Sequence, residues 1–184
     1  MGGCHLRVGV RSFSMTVFLR TPTLEDAAEL GRVHQQCWVE TYDALVDPGF
    51  WEHSTEARRI GMWERMLRRT ESERRLVLAE VDDRIVGFAL AGPYLPREHP
   101  EYPPIHEFEV RMLYVLRAHH GTGVGQRLLD AVLAPDEPAQ LWVAMRNPRA
   151  QAFYRRNGFE PDGSRDTQHS GGLTAIRMLR PPAH

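Results

Sequence analysis

A strand-like run, Met112-Leu113-Tyr114-Val115, is followed after a short linker by His120-Gly121-Thr122-Gly123-Val124-Gly125-Gln126-Arg127. A strand that feeds a glycine-rich turn and then a helix is a place where the backbone can grip an anion. Glycines let the main chain approach closely, and the first N–H groups of a helix have no intrahelical partner. The positive end of the helix dipole adds to this, so a phosphate fits there without help from basic side chains. Taken alone, the motif also fits a glycine-rich connection with no ligand. It is not a Walker loop, because no Lys-Ser or Lys-Thr follows the last glycine. Nor is it a dinucleotide fingerprint, since Gly121, Gly123 and Gly125 alternate and position 126 is Gln. His119 and His120 are adjacent and lack the spacing of a zinc pair, so no metal is expected.

The elements that must position this turn can be read from periodicity. Thr16 to Arg20 reads as a short strand. Thr23-Leu24-Glu25-Asp26 resembles a capping box and opens a helix to about Tyr42, with Leu30, Val33, Cys37 and Trp38 on one face. A turn near Asp47-Pro48-Gly49 precedes a second helix over Thr55 to Arg69, whose apolar stripe is Ile60, Trp63 and Leu67. Leu76 to Val81 and Ile85 to Leu90 flank Asp82-Asp83-Arg84 as a hairpin. Gly92 to His106 carries five prolines and is too irregular for an element. Phe108 to Val115 is a strand, and the helix after the glycines buries Val124, Leu128, Leu129, Val132 and Leu133. Leu141 to Met145 is a strand. Asn147-Pro148 caps the next helix and Asn157-Gly158 ends it. Phe159 and Thr174 to Leu179 supply the last two strands. Seven strands and four helices in this order predict an α/β chain whose mixed sheet carries helices on both faces.

Composition narrows the classes. At 184 residues the chain has room for roughly 1.2 average domains, so one is expected over residues 16–184, after a loose extension over 1–15. A hydrophobic share of 42% with 26% charged residues is that of a globular protein. The net charge of −1 offers no basic excess for nucleic acid. Two cysteines, Cys4 and Cys37, exclude a disulfide framework. No apolar run reaches the roughly 18 residues of a membrane span, and Leu6 at the sixth position breaks a myristoylation motif. A cytoplasmic protein is expected, without a nucleic-acid or membrane partner.

At this point the sequence resembles the GCN5-related N-acetyltransferases, the GNAT family. Their pyrophosphate signature is Arg or Gln, two residues, Gly, one residue, then Gly or Ala, and here it reads His120-Gly121-Thr122-Gly123-Val124-Gly125. His120 in first place departs from it, which matters moderately because main-chain N–H groups supply much of the binding. Leu141-Trp142-Val143 with Asn147, Ala150, Phe153-Tyr154 and Asn157-Gly158-Phe159 resembles the later strand–helix segment. Leu19-Arg20-Thr21-Pro22 with Glu25-Asp26-Ala27 resembles the first strand and helix entry. The resemblance implies a mostly antiparallel sheet splayed between strands 4 and 5, flanked by four helices, with acetyl-coenzyme A as donor and a primary amine as acceptor.

It also implies roles. Leu113, Tyr114 and Val115 would pair with the pantetheine arm, and the Val115 N–H would hold the thioester oxygen. His120, Gly121, Thr122, Gly123, Val124, Gly125 and Gln126 would hold the pyrophosphate, with Arg117, His119 or Arg127 as candidates for the nucleotide phosphate. Asn147 matches the coenzyme-contacting Asn and Tyr154 the general acid, whose phenol, with a pKa of about 10, suits a departing thiolate. Glu109, six residues before Val115 and so expected on the same face, would activate the amine. The proline-rich loop and Trp38, Tyr42, Phe50 and Trp51 would wall the acceptor, which fits a small amine as well as a peptide terminus. A noncatalytic acyl-coenzyme A binder of the same fold is the alternative function. A homodimer is the base-rate expectation.

Overall fold

Two aspartates turn the chain into its first hairpin. Asp82 and Asp83 take φ of 49° and 57°, the doubly left-handed geometry of a tight turn that short polar side chains tolerate. β2 (Arg75–Val81) thereby pairs antiparallel with β3 (Arg84–Pro93). The computed structural model describes residues 16–47, 49–69, 73–95 and 102–182. The expected extension over 1–15 with Cys4, Pro48 of the expected turn, and residues 96–101 of the proline-rich loop lie outside them.

The other strands are β1 (Phe18–Arg20), β4 (Phe108–Val115), β5 (Ala139–Ala144), β6 (Glu160–His169) and β7 (Leu173–Arg180). They form one sheet in the order β1-β2-β3-β4-β5-β7-β6. Every pairing is antiparallel except that of β4 with β5, which is parallel and registers only Glu109 with Gln140. Beyond that pair the two strands part. The splay expected between strands 4 and 5 is therefore present.

The four expected helices are α1 (Ala27–Tyr42), α3 (Glu56–Leu67), α4 (Val124–Val132) and α5 (Pro148–Arg156), with one added turn, α2 (Phe50–His53). β6 is longer than the Phe159 signal suggested. It lies at the sheet edge, where Pro161 and Gly163 are tolerated and no apolar alternation is required.

Two cores sit on opposite faces of the sheet. On one face α1 and α3 bury Leu30, Val33, Cys37 and Trp63 against Leu78, Phe88 and Leu90. On the other, Val124, Leu128, Leu129 and Val132 of α4 and Tyr154 of α5 pack on Ala89, Val110, Leu141 and Met178. Truncating Leu128, fully buried, would cost about 2–5 kcal/mol. The start of α1 is anchored by Arg20, which grips Asp26 through two bonds of 2.8 and 2.7 Å and reaches Glu80 on β2. Asp26 also accepts the Thr23 N–H at 2.6 Å, closing the capping box.

Candidate active site

The end of β4 turns its backbone toward the gap beside it. Leu116 N–H donates to the Val86 carbonyl at 2.9 Å, and Tyr114 registers with Phe88 and Val115 with Gly87. Hydrogen-bonded and non-bonded pairs alternate along antiparallel strands. The main-chain groups of Tyr114 are thus directed to β3, and those of Leu113 and Val115 away from it, into the gap between β4 and β5. This corrects the expectation for Tyr114, which faces the cleft with its side chain and not its backbone.

That cleft has a volume of about 370 Å³. Leu113, Tyr114 and Val115 line it from β4, and Asn147 and Tyr154 from α5. His120, Gly121, Gly123, Gly125 and Gln126 close one end. Thr122 and Val124 of the same motif do not line it. The Thr122 hydroxyl caps the preceding turn by donating to the His119 carbonyl at 2.7 Å, and Val124, the first residue of α4, is buried in the core.

Gly121 and Gly123 have φ of 77° and 89°, which side-chain-bearing residues rarely adopt. The left-handed Gly123 is the N-cap of α4, and its carbonyl accepts the first helical bond, from Arg127 N–H at 3.1 Å. The N–H groups of the first turn are left for an external acceptor. The Gln126 side chain is turned onto Asp130 and Asn157 at 2.8 and 2.7 Å, so this residue offers its backbone.

His120 faces back toward β4, its Nε2 2.8 Å from the Val115 carbonyl oxygen. Its other ring nitrogen is bonded to Arg149. Arg149 lines the cleft, together with Arg111 and Arg156, and is a cation that sequence reasoning missed. Its signal was its place in the first turn of α5, just after the Asn147-Pro148 start. Arg117, in contrast, is tied to Glu40 through both its N–H and its guanidinium. Neither Arg117 nor Arg127 lines the cleft.

Three phenols surround the middle of the cleft. Tyr154 is 8% exposed and set edge-on to Phe153 and Phe159. Burial first, and the neighbouring Tyr42 second, push its pKa well above that of a free phenol. Tyr42, at the end of α1, is hydrogen-bonded to Asn147 and Tyr114, and burial raises its pKa as well. The Tyr114 hydroxyl accepts from Trp38 Nε1 at 3.0 Å. Asn147 also caps α5, its Oδ1 accepting from Ala150 N–H at 3.1 Å.

Glu109 lies elsewhere. The β3–β4 register slips between Leu90 and Ala91, a bulge that absorbs Arg111 and reverses the alternation of side chains. Val110, Leu113 and Val115 consequently share the α4 face, while Met112 and Tyr114 share the α1 face. Glu109 therefore faces the α1 side, opposite to Val115. The six-residue spacing failed because the strand holds one extra residue. Glu109 is 3% exposed, accepts from Gln140 Nε2 at 3.2 Å, and is not part of the cleft lining. Gln140 Oε1 in turn takes the N–H groups of Ile105 and His106, and Arg177 donates to the Pro103 carbonyl at 2.6 Å. The second limb of the proline-rich loop is thus fastened to β5 and β7.

A parallel strand pair parted beside a glycine turn, with phenols in the opening, is the site of an acyltransferase-like fold. The chain belongs to the GNAT family. Residues 72–161 match the family described as Acetyltransferase (GNAT) domain. An uncharacterized N-acetyltransferase of Mycobacterium tuberculosis is 36% identical over 122 residues, spanning 60% of this chain and 70% of the relative. The crystal structure of a histone acetyltransferase HPA2 and related acetyltransferase from Corynebacterium glutamicum superposes with a TM-score of 0.65 at 23% identity, covering 92% of this chain and 98% of that one. The PaiA N-acetyltransferase of Thermoplasma acidophilum, crystallised with coenzyme A, gives 0.61 at 19% identity over 89% and 98%. Among the described residues no helix is long and apolar enough to cross a membrane.

Proposed function

We propose that the protein transfers an acetyl group from acetyl-coenzyme A to a primary amine by direct attack within a ternary complex. The observation that carries this reading is the gap between β4 and β5, into which the main chain of Leu113 and Val115 opens. An amide-bearing arm can add there as a strand would. At one end of the same gap, the first-turn N–H groups of α4 and the Arg149 guanidinium suit a diphosphate.

Acetyl-coenzyme A supplies an activated acyl carbon and a thiol leaving group. The Val115 N–H points at the carbonyl oxygen and stabilises it as negative charge builds during attack. As the new C–N bond forms and the C–S bond breaks, Tyr154 donates its proton to the sulfur and is reprotonated by the second proton that the acylated nitrogen sheds as it becomes an amide. Its raised pKa keeps it protonated at neutral pH, and the same burial favours a neutral thiol over a thiolate. The ammonium must first lose a proton, since its pKa is near 10.4. Glu109, at the closed end of the gap and on the α1 side, receives that proton through intervening solvent.

The test is release of thiol from acetyl-coenzyme A against a panel of primary amines, with coenzyme A binding measured by calorimetry. Turnover is expected with at least one class of amine. Gly123→Glu is expected to weaken coenzyme binding, through its left-handed backbone and its charge. Coenzyme binding without turnover on any amine would favour the noncatalytic binder, and undiminished affinity in Gly123→Glu would remove the phosphate turn from the argument.

A further inference from the structure

A second cavity of about 370 Å³ opens between α1, α2 and α3. Its walls are aromatic: Trp38 and Phe50 stack at 19° with centroids 5.4 Å apart. Across the Trp38 face lies the Arg59 guanidinium, 4.7 Å from the ring centroid. Arg58 and His53 stand on the rim, and among the described residues no carboxylate lines the cavity.

Arg59 is a half-buried cation whose partners are all neutral. Its Nε donates to Gln35 Oε1 at 2.6 Å, and its two terminal nitrogens contact His34 Nε2 at 3.1 Å and Ser54 Oγ at 3.0 Å. Three of five N–H groups are used, and no Asp or Glu answers the charge among the described residues. Three other part-buried arginines are paired with acids, Arg20 with Asp26 and Glu80, Arg75 with Glu137, and Arg177 with Asp162, while Arg180 is held by the main-chain carbonyls of Ala134 and Glu137. Desolvation outweighs every other influence on the Arg59 pKa and lowers it. A cation held out of water without an anion is costly unless a ligand supplies one.

The cavity adjoins the thioester cleft. Trp38 forms one wall of it, while Tyr42, one turn later on α1, lines the cleft; the two rings touch at 4.8 Å. We propose that this cavity is a carboxylate site, and that the acceptor is an amine bearing a carboxylate several bonds from the nitrogen, of the ω-amino acid type. Arg59 holds the carboxylate in its planar fork, the aromatic walls pack the intervening carbons, and the amine passes the Trp38–Tyr42 pair into the cleft. The direction of the amine rests on the transferase reading. The carboxylate site itself does not.

Two measurements keep these apart. Calorimetry with phenylpropanoate, without any coenzyme, reads the cavity alone; binding is expected, weakened about tenfold or more in Arg59→Gln and less in Arg59→Lys. Kinetics with an ω-amino acid series and n-alkylamines of matching length read the acceptor. In the wild type the acids should have the higher kcat/KM through a lower KM, and Arg59→Gln should bring the acid-to-alkylamine ratio toward one. Circular dichroism and Tm confirm that each variant is folded. Phenylpropanoate binding equal in wild type and Arg59→Gln, or no binding at all, overturns the carboxylate site. Acids no better than alkylamines overturn the acceptor assignment even where the cavity binds. Absence of coenzyme A binding overturns only the transferase reading.

Discussion

The His120 imidazole joins the last residue of β4 to α5, with Nε2 2.8 Å from the Val115 carbonyl and Nδ1 bonded to Arg149. Arginine can only donate, so Nδ1 is the acceptor and the ring proton resides on Nε2, aimed at Val115. Burial lowers the His120 pKa, and this keeps the ring in that neutral form. The contact fixes the peptide that follows the proposed oxyanion donor. His120 thus serves the site as a positioning residue, which explains how it can stand where the family signature has Arg or Gln.

His120→Leu removes both bonds and leaves the Val115 carbonyl and Arg149 unheld. We expect coenzyme A affinity to fall about tenfold. His120→Gln, which still offers one donor and one acceptor, should recover much of it. Calorimetry on the two variants decides this, and equal losses would mean that the contact does not position β4.

Tyr154→Phe deletes only the hydroxyl, and the edge-on packing with Phe153 and Phe159 is retained. A general acid typically contributes 10²–10⁴-fold, so kcat should drop by about that range while the coenzyme Kd changes little. Stopped-flow thiol release and calorimetry on one preparation test both halves. Normal turnover would transfer the acid role to another group, with Tyr42 and Tyr114 the other phenols that line the cleft.

Glu109→Gln is nearly isosteric and keeps an acceptor for Gln140 Nε2. If Glu109 receives the ammonium proton, the variant should lose about 10²-fold in kcat near neutral pH and regain rate as alkaline pH deprotonates the amine directly. A pH–rate profile checks this. A uniform loss at every pH, or none, would leave Glu109 as the residue that seals the β4–β5 junction with Gln140.

Most of this architecture was legible because local signals agreed with the final fold. The β4 bounds, the Asn147 cap, the Thr23–Asp26 box and the glycine turn each follow from a few adjacent residues. What sequence could not disclose depends on contacts between distant segments. The bulge at Arg111 arises from pairing with Leu90 and Ala91, so the face of Glu109 could not be counted from spacing. Arg149 was invisible as a cleft residue until α5 was placed against the end of β4. The unpaired charge of Arg59 exists only once α3 packs on α1 and withdraws it from solvent. A turn can be read from its own residues, whereas a charge imbalance needs the tertiary fold.

His34 offers a prediction that depends on no ligand. It is 4% exposed, among the rings of Trp63, Phe88 and Tyr114. Burial first, then the Arg59 charge, push its pKa down to about 3. An unfolded histidine titrates near 6.5. Between these values the unfolded chain takes up a proton that the native state refuses, so this contribution to stability is whole above pH ~6.5. It declines as the pH falls toward the folded value, by roughly 1.4 kcal/mol per unit at the steepest. Asp26, held at about 2 by its bonds to Arg20, stabilises fully above its unfolded value of 3.8 and loses that contribution only as the pH falls below it, so its loss lies outside a series that stops near pH 4. Urea unfolding of wild type and His34→Gln at a series of pH values from about 7 to 4 should show a steeper acid loss in the wild type. Parallel curves would mean that His34 accepts a proton inside the fold, and would contradict its role as the neutral acceptor for Arg59.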